Sequence, residues 1–174
     1  VWNHMVAREY GRIVVTTSCS GMYGNFGQAN YGAAKAGVVG LMNTLAIEGA
    51  RKNIKVNTLA PTAATRMTAD LLPEQAQALL APETITPGLL YLVSEDGPSR
   101  VILGAGAGGF AQTRIYETEG VTLTGDENAP EGVASAFDKI TDAGGQQELT
   151  DAFSQTKKYA LNAAKAQGLD LDWG

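Results

Sequence analysis

Residues 12–60 read RIVVTTSCSGMYGNFGQANYGAAKAGVVGLMNTLAIEGARKNIKVNTLA. RIVVTT (12–17) is a β-branched run with the pattern of a buried strand. SCSGMYGNFGQAN (18–30) carries Gly21, Gly24 and Gly27 and reads as a loop. From about Ala29 to Arg51 apolar residues recur at helical spacing, at Val38, Leu41, Met42, Leu45 and Ile47. IKVNTLA (54–60) is a second buried strand, ended by Pro61. Strand, helix, strand is the rhythm of a parallel α/β sheet.

The flanks extend that rhythm. Residues 1–9 read as the end of a helix stopped by Gly11. TADLLPEQAQALL and TITPGLLYLVSE read as two helices, the second starting near Thr86 and Pro87, and RVILGAG reads as a third strand. FAQTRIYETEGVTLTG is expected to be an extended arm. PEGVASAFDKIT and ELTDAFSQTKKYALNAAKAQG are expected to form two further, partly exposed helices. The expected division is residues 1–110 for the α/β part and residues 111–174 for the arm and helical extension.

Composition removes several classes of function. Of the 174 residues 44% are hydrophobic, enough to build a core. The net charge of -5 argues against a nucleic-acid or anionic-membrane surface. No apolar run reaches the roughly 18 residues of a membrane span, and no signal peptide is read. Cys19 is the single cysteine, which excludes an internal disulfide and fits a reducing compartment such as the cytoplasm. One cysteine and one histidine, His4, do not make a zinc site of the usual kind, so no metal is expected. No G-x-S-x-G elbow is present for a serine hydrolase. The chain opens on Val1 inside a helical pattern, so it reads as a piece of a longer protein.

Tyr31 and Lys35 stand at i and i+4 and share a helix face. A free tyrosine has a pKa of about 10 and is a poor base at neutral pH, but an adjacent ammonium favours the phenolate. Ser18 follows the first strand at its carboxyl end, where ligands bind in open α/β sheets. A hydroxyl there can hold a substrate oxygen while the tyrosine exchanges its proton. A Y-x-x-x-K pair alone is ordinarily a solvated helix face. Here a serine precedes the tyrosine by thirteen residues, after a buried strand, and a second strand ends in NTLAP.

The stretch from Gly11 to Pro61 resembles the core of a short-chain dehydrogenase/reductase. More narrowly, YGNFGQANYGAAK and APTAATRMT are similar to the (3R)-hydroxyacyl-CoA dehydrogenase domain of multifunctional β-oxidation enzymes and its bacterial relatives. The resemblance covers residues 1–110 well and the tail loosely. It implies the C-terminal part of a Rossmann-like, doubly wound parallel sheet with a mostly helical extension. It also implies hydride transfer between a nicotinamide cofactor, NAD with NADP not excluded, and a 3-hydroxyacyl thioester. Tyr31 would be the acid/base, Lys35 would assist it and bind the nicotinamide ribose, and Ser18 would orient the substrate oxygen. Pro61 to Thr65 would line the nicotinamide, with Thr62 where many members have glycine and Thr65 for a cofactor hydrogen bond. Asn30 and Asn57 are expected to be structural. A homodimer or homotetramer is implied, with Gly32, Ala33, Ala36, Gly37 and Gly40 giving the 29–51 helix a small face for its copy. The alternatives are a 3-oxoacyl carrier-protein reductase and a catalytically silent fragment that only dimerises.

GAGAGG (104–109) fits G-x-G-x-x-G by letter. A dinucleotide fingerprint must open a helix, and FAQTRIYETE is a poor helix start. The expectation is therefore close backbone packing at the end of the last strand. The resemblance puts the phosphate-binding glycine loop ahead of Val1. A sheet lacking those earlier strands would expose an apolar edge. Cys19 is expected to be a buried small residue. Tyr23 and Phe26 are expected to shape the loop, with Tyr23 also able to line the pocket. Met67, Leu71 and Leu72 could face an acyl chain or belong to the core.

Overall fold

The computed structural model describes residues 1–65 and 73–173. Two compact units are present, Val1–Thr113 and Arg114–Gly174. In the first, helix α1 (Trp2–Arg8) leads into strand β1 (Gly11–Thr16). Helices α2 (Cys19–Tyr23) and α3 (Ala29–Gly49) follow, then β2 (Ile54–Pro61). Helices α4 (Glu74–Leu79) and α5 (Thr86–Leu92) precede β3 (Ile102–Gly106) and β4 (Gly109–Thr113).

The sheet runs in the order β1-β2-β3-β4, with β1 parallel to β2 and β2 parallel to β3. This is the parallel sheet with flanking helices that the strand-helix-strand rhythm predicts. Strand β1 lies at one edge of it. Both faces of the sheet are covered. On one, Val39, Met42 and Ala46 of α3 pack on Ile54, Val56 and Ile102. On the other, Ile85 and Leu92 pack on Leu59 and Ala105. Asn57 between them is fully buried and is structural. Its amide donates to the carbonyls of Leu92 and Pro98 and accepts from the Val101 amide, tying β2 to the turn before β3.

Four local expectations change. The 18–30 stretch is not all loop. Ser18 caps α2, its hydroxyl accepting from the Ser20 amide, and Gly21 is helical rather than a turn residue. Of the five apolar positions read for α3, only Met42 is buried. The buried stripe is Val39, Met42, Ala46 and Gly49, while Leu41 and Ile47 are each 50% exposed. The helix is apolar on more than one side, so periodicity did not single out the inward face. The start of the expected arm is β4, which folds back antiparallel on β3. Ala107 and Gly108 between them both have positive φ, as a two-residue hairpin of the primed type requires. Finally, Cys19 is exposed because it stands at the first position of α2. Met67, Leu71 and Leu72 lie outside the described residues.

The second unit contains α6 (Pro130–Ser135), α7 (Phe137–Ile140) and α8 (Ala152–Ala166). The Asp151 carboxylate caps α8 by accepting from the Ser154 amide at 2.8 Å. Lys158 of α8 donates to Glu117 at 2.9 Å and to the Thr118 carbonyl at 2.5 Å. Glu117 also bridges to Gln147 by two backbone hydrogen bonds of 2.9 Å.

Candidate active site

Three consecutive residues at the carboxyl end of β1 organise the site. The Thr16 carbonyl accepts from the Lys35 ammonium at 2.9 Å. Thr17 is 1% exposed, and its hydroxyl donates to the Lys35 main-chain carbonyl at 2.7 Å. The Thr17 amide donates to the Leu59 carbonyl at 2.8 Å, so Thr17 still belongs to the β1–β2 ladder. Ser18 then leaves the sheet in extended conformation to cap α2. Both the backbone and the ammonium of Lys35 are thereby anchored to the strand end that presents Ser18.

Helices α2 and α3 meet backbone to backbone. A Cβ on Gly21 would lie 2.7 Å from the Lys35 carbonyl carbon and 2.8 Å from the Ala36 nitrogen. A Cβ on Gly32 would lie 3.2 Å from the Ser20 carbonyl oxygen. A larger residue at position 21 would push α3, and Lys35 with it, away from Ser18. Gly37 and Gly40 face open space instead.

Tyr31 is on the first turn of α3 and 43% exposed. The Lys35 ammonium lies 5.7 Å from the centre of its ring. Asn30 plays a structural part here, its side-chain oxygen accepting from the Tyr31 amide at 2.9 Å. The structure thus joins Tyr31 to Lys35 along one helix face, and Lys35 to Ser18 through Thr16 and Thr17. Pro61 ends β2 at the same edge of the sheet, in register with Ala105. The Thr62 amide continues the pairing by donating to the Ala105 carbonyl at 2.8 Å. Thr65 is exposed, three residues further on.

A cavity of about 480 Å³ opens beside Ser18. Its walls include Cys19, Met22 and Tyr23 of α2, together with Thr62, Gly104 and Ala111. Tyr23 and Thr113 share a hydroxyl–hydroxyl hydrogen bond of 3.1 Å within that lining. Thr17, the packing role of Gly21 and this cavity were all missed in reading the sequence. The Thr16-Thr17 pair ahead of Ser18 was the available signal for the first; the cavity needs β4 to be placed.

Lys35 places its ammonium donors at the carboxyl end of β1, and Pro61 and Thr62 lie at the carboxyl end of the neighbouring strand β2. GAGAGG forms no phosphate cradle, because its glycines turn the β3–β4 hairpin and do not open a helix. Gly106 does pack closely on backbone, its Cβ position lying 2.8 Å from the Thr62 carbonyl oxygen.

The parallel-dominated sheet with helices on both faces is a Rossmann-like fold. Residues 1–76 match the family model for short chain dehydrogenase. It is 46% identical over 144 residues to peroxisomal multifunctional enzyme type 2 of Mus musculus, covering 81% of this chain and 20% of that protein. It is 46% identical over 107 residues to an acetoacetyl-CoA reductase of Acinetobacter, covering 56% of this chain and 43% of that one. The fold is similar to that of full-length peroxisomal multifunctional enzyme type 2 from Drosophila melanogaster. That similarity has a TM-score of 0.81 at 33% identity and covers 95% of this chain and 30% of the fly protein. The chain spans half or less of the length of the curated relatives it matches. Family members use nicotinamide cofactors.

Proposed function

We propose that this chain carries the catalytic Ser18, Tyr31 and Lys35 of an oxidoreductase acting on a 3-hydroxyacyl thioester. The observation that carries the reading is the anchoring of Lys35. Its ammonium is fixed on the Thr16 carbonyl and stands 5.7 Å from the Tyr31 ring centre. A cation so placed stabilises negative charge building on the Tyr31 oxygen. In the oxidative direction Tyr31 takes the proton of the carbinol oxygen as the carbonyl forms, and in reduction it returns that proton. Ser18 donates a hydrogen bond to the same oxygen and holds it against Tyr31. Lys35, Pro61, Thr62 and Thr65 are the residues that would hold the nicotinamide and its ribose. The cofactor, NAD in this reading, accepts or supplies the hydride when bound.

Similarity to an acetoacetyl-CoA reductase supports a thioester of coenzyme A. An acyl chain on carrier protein is the other thioester of that class. The single, exposed Cys19 thiol suits a reducing compartment such as the cytoplasm. The open Gly37 and Gly40 and the half-exposed Leu41 and Ile47 support pairing of α3 with its copy in a homodimer.

The test is turnover of the full-length protein with NAD and 3-hydroxyacyl-CoA, beside the matching carrier-protein thioester. Tyr31→Phe should lower kcat by about 10²- to 10⁴-fold while NADH binding, read by fluorescence titration, stays near wild type. Wild-type rates in that variant would remove Tyr31 from the chemistry. A preference for the carrier-protein thioester would move the substrate to that class.

A further inference from the structure

We infer that Gly104, in the GAGAGG stretch, sets the length of acyl chain that the site accepts; this rests on the thioester reading above. Cys19 lines the cavity and its sulfur lies 3.9 Å from the Ser18 hydroxyl, so a substrate oxygen held by Ser18 would lie beside the cavity. Among the described residues, none lining the cavity is charged, and the lining they form is mainly apolar. The phosphates of coenzyme A demand cations or clustered donors, so the part of the substrate that fits is the acyl arm.

The floor of the cavity is the sheet formed by β3, β4 and the end of β2, where Ala60, Gly104, Gly106, Gly109 and Ala111 are small, while Phe110, paired with Ala105, turns its ring toward Gly88 of α5. Strand alternation explains which β3 residues face α2. Ala105 points to the opposite face, into the cluster with Leu59 and Leu92, so Gly104 and Gly106 point toward α2. The two glycines differ in their surroundings. At Gly106 a Cβ would meet the Thr62 carbonyl oxygen at 2.8 Å, so that position is closed by packing. At Gly104 the nearest atom to a Cβ is the Ala111 carbonyl oxygen at 3.5 Å, an ordinary contact. Gly104 therefore has room for a side chain, and any atom added there takes its volume from the cavity. The opposite wall is held by the Tyr23–Thr113 hydrogen bond, which ties α2 to β4. The missing side chain at position 104 is what leaves depth for a long acyl arm.

The experiment compares full-length wild type, Gly104→Ala and Gly104→Val with 3-hydroxybutyryl-CoA and 3-hydroxydecanoyl-CoA. The ratio of kcat/KM for the decanoyl over the butyryl substrate should fall by roughly tenfold or more in Gly104→Val, and by a few-fold in Gly104→Ala. Binding of decanoyl-CoA, followed by calorimetry, should weaken in the same order while NADH binding holds. If Gly104→Val does not fold, the alanine variant decides the matter, since its Cβ has space. An unchanged ratio and unchanged decanoyl-CoA affinity in folded variants would overturn the inference. A wild type that turns over no 3-hydroxyacyl thioester would refute the functional reading instead. Decanoyl-CoA binding would then judge the cavity alone: weakened binding in the variants supports the role of Gly104, and equal or absent binding overturns it.

Discussion

Thr17 carries more of the site's geometry than its neighbours in sequence suggest. It is buried, it makes no approach to solvent, and its one side-chain hydrogen bond runs to the main chain of Lys35. Thr17→Val keeps the volume and removes the donor. Losing one buried hydrogen bond should cost about 1 kcal/mol of stability. The larger effect should be on kcat, because Lys35 then loses its main-chain tie to the end of β1 and keeps its ammonium contact to the Thr16 carbonyl and the α2 packing at Gly21, whereas KM should move little. Thr17→Ser restores the donor and should recover kcat. Equal kcat in the valine variant, measured at saturating cofactor, would show that α3 is placed without it. The Ser18, Tyr31 and Lys35 spacing was legible in the sequence because a helix turn and a strand end impose it. The part played by Thr17 was not, because its partner is a backbone carbonyl that has no letter in the sequence.

Among the elements, α8 shows how charge secures a helix whose packing face is modest. Hydrogen bonding to Lys158, and next to Gln155, holds the Glu117 carboxyl below its ordinary range. Asp151 is also lowered, chiefly by accepting from the Ser154 amide at the helix start. For groups depressed in this way the stabilisation is complete above the unfolded carboxylate values of about 3.9 to 4.3. It disappears as pH falls from there through the lower folded values. Thermal unfolding followed from about pH 7 down to about pH 3 should therefore show a loss of stability below about pH 4. Glu117→Gln should be less stable at neutral pH and should show a shallower loss in acid. Identical acid profiles for the two proteins would mean that the Glu117–Lys158 pair contributes nothing. The helix itself was readable from its amphipathic pattern. Its anchors were not, since Glu117 and Lys158 are joined across 41 positions of chain.

At the scale of the whole molecule, the question is what covers α3. The helix buries Val39, Met42, Ala46 and Gly49 against the sheet, yet leaves Leu41 and Ile47 half exposed and Gly37 and Gly40 open. A second copy packed on that face would bury these apolar side chains and let two backbones approach closely. If that pairing occurs in the full-length protein, Gly37→Leu should weaken self-association without unfolding the chain, because position 37 has room for the side chain. Sedimentation at several concentrations reads the outcome, and an unchanged association constant would place the contact elsewhere.

The sequence by itself determined the parallel α/β framework, the helix carrying Tyr31 and Lys35, and the rejection of GAGAGG as a phosphate loop. All of these follow from periodicities and spacings within one element and its neighbour. The tertiary structure decided which face of α3 is buried, because a helix apolar on several sides does not declare its inward face. It also decided that Gly21 exists for contact with Lys35, that β4 returns on β3, and that Gly104 floors a cavity. Those outcomes depend on how close two backbones come, a quantity set by residues far apart in the chain.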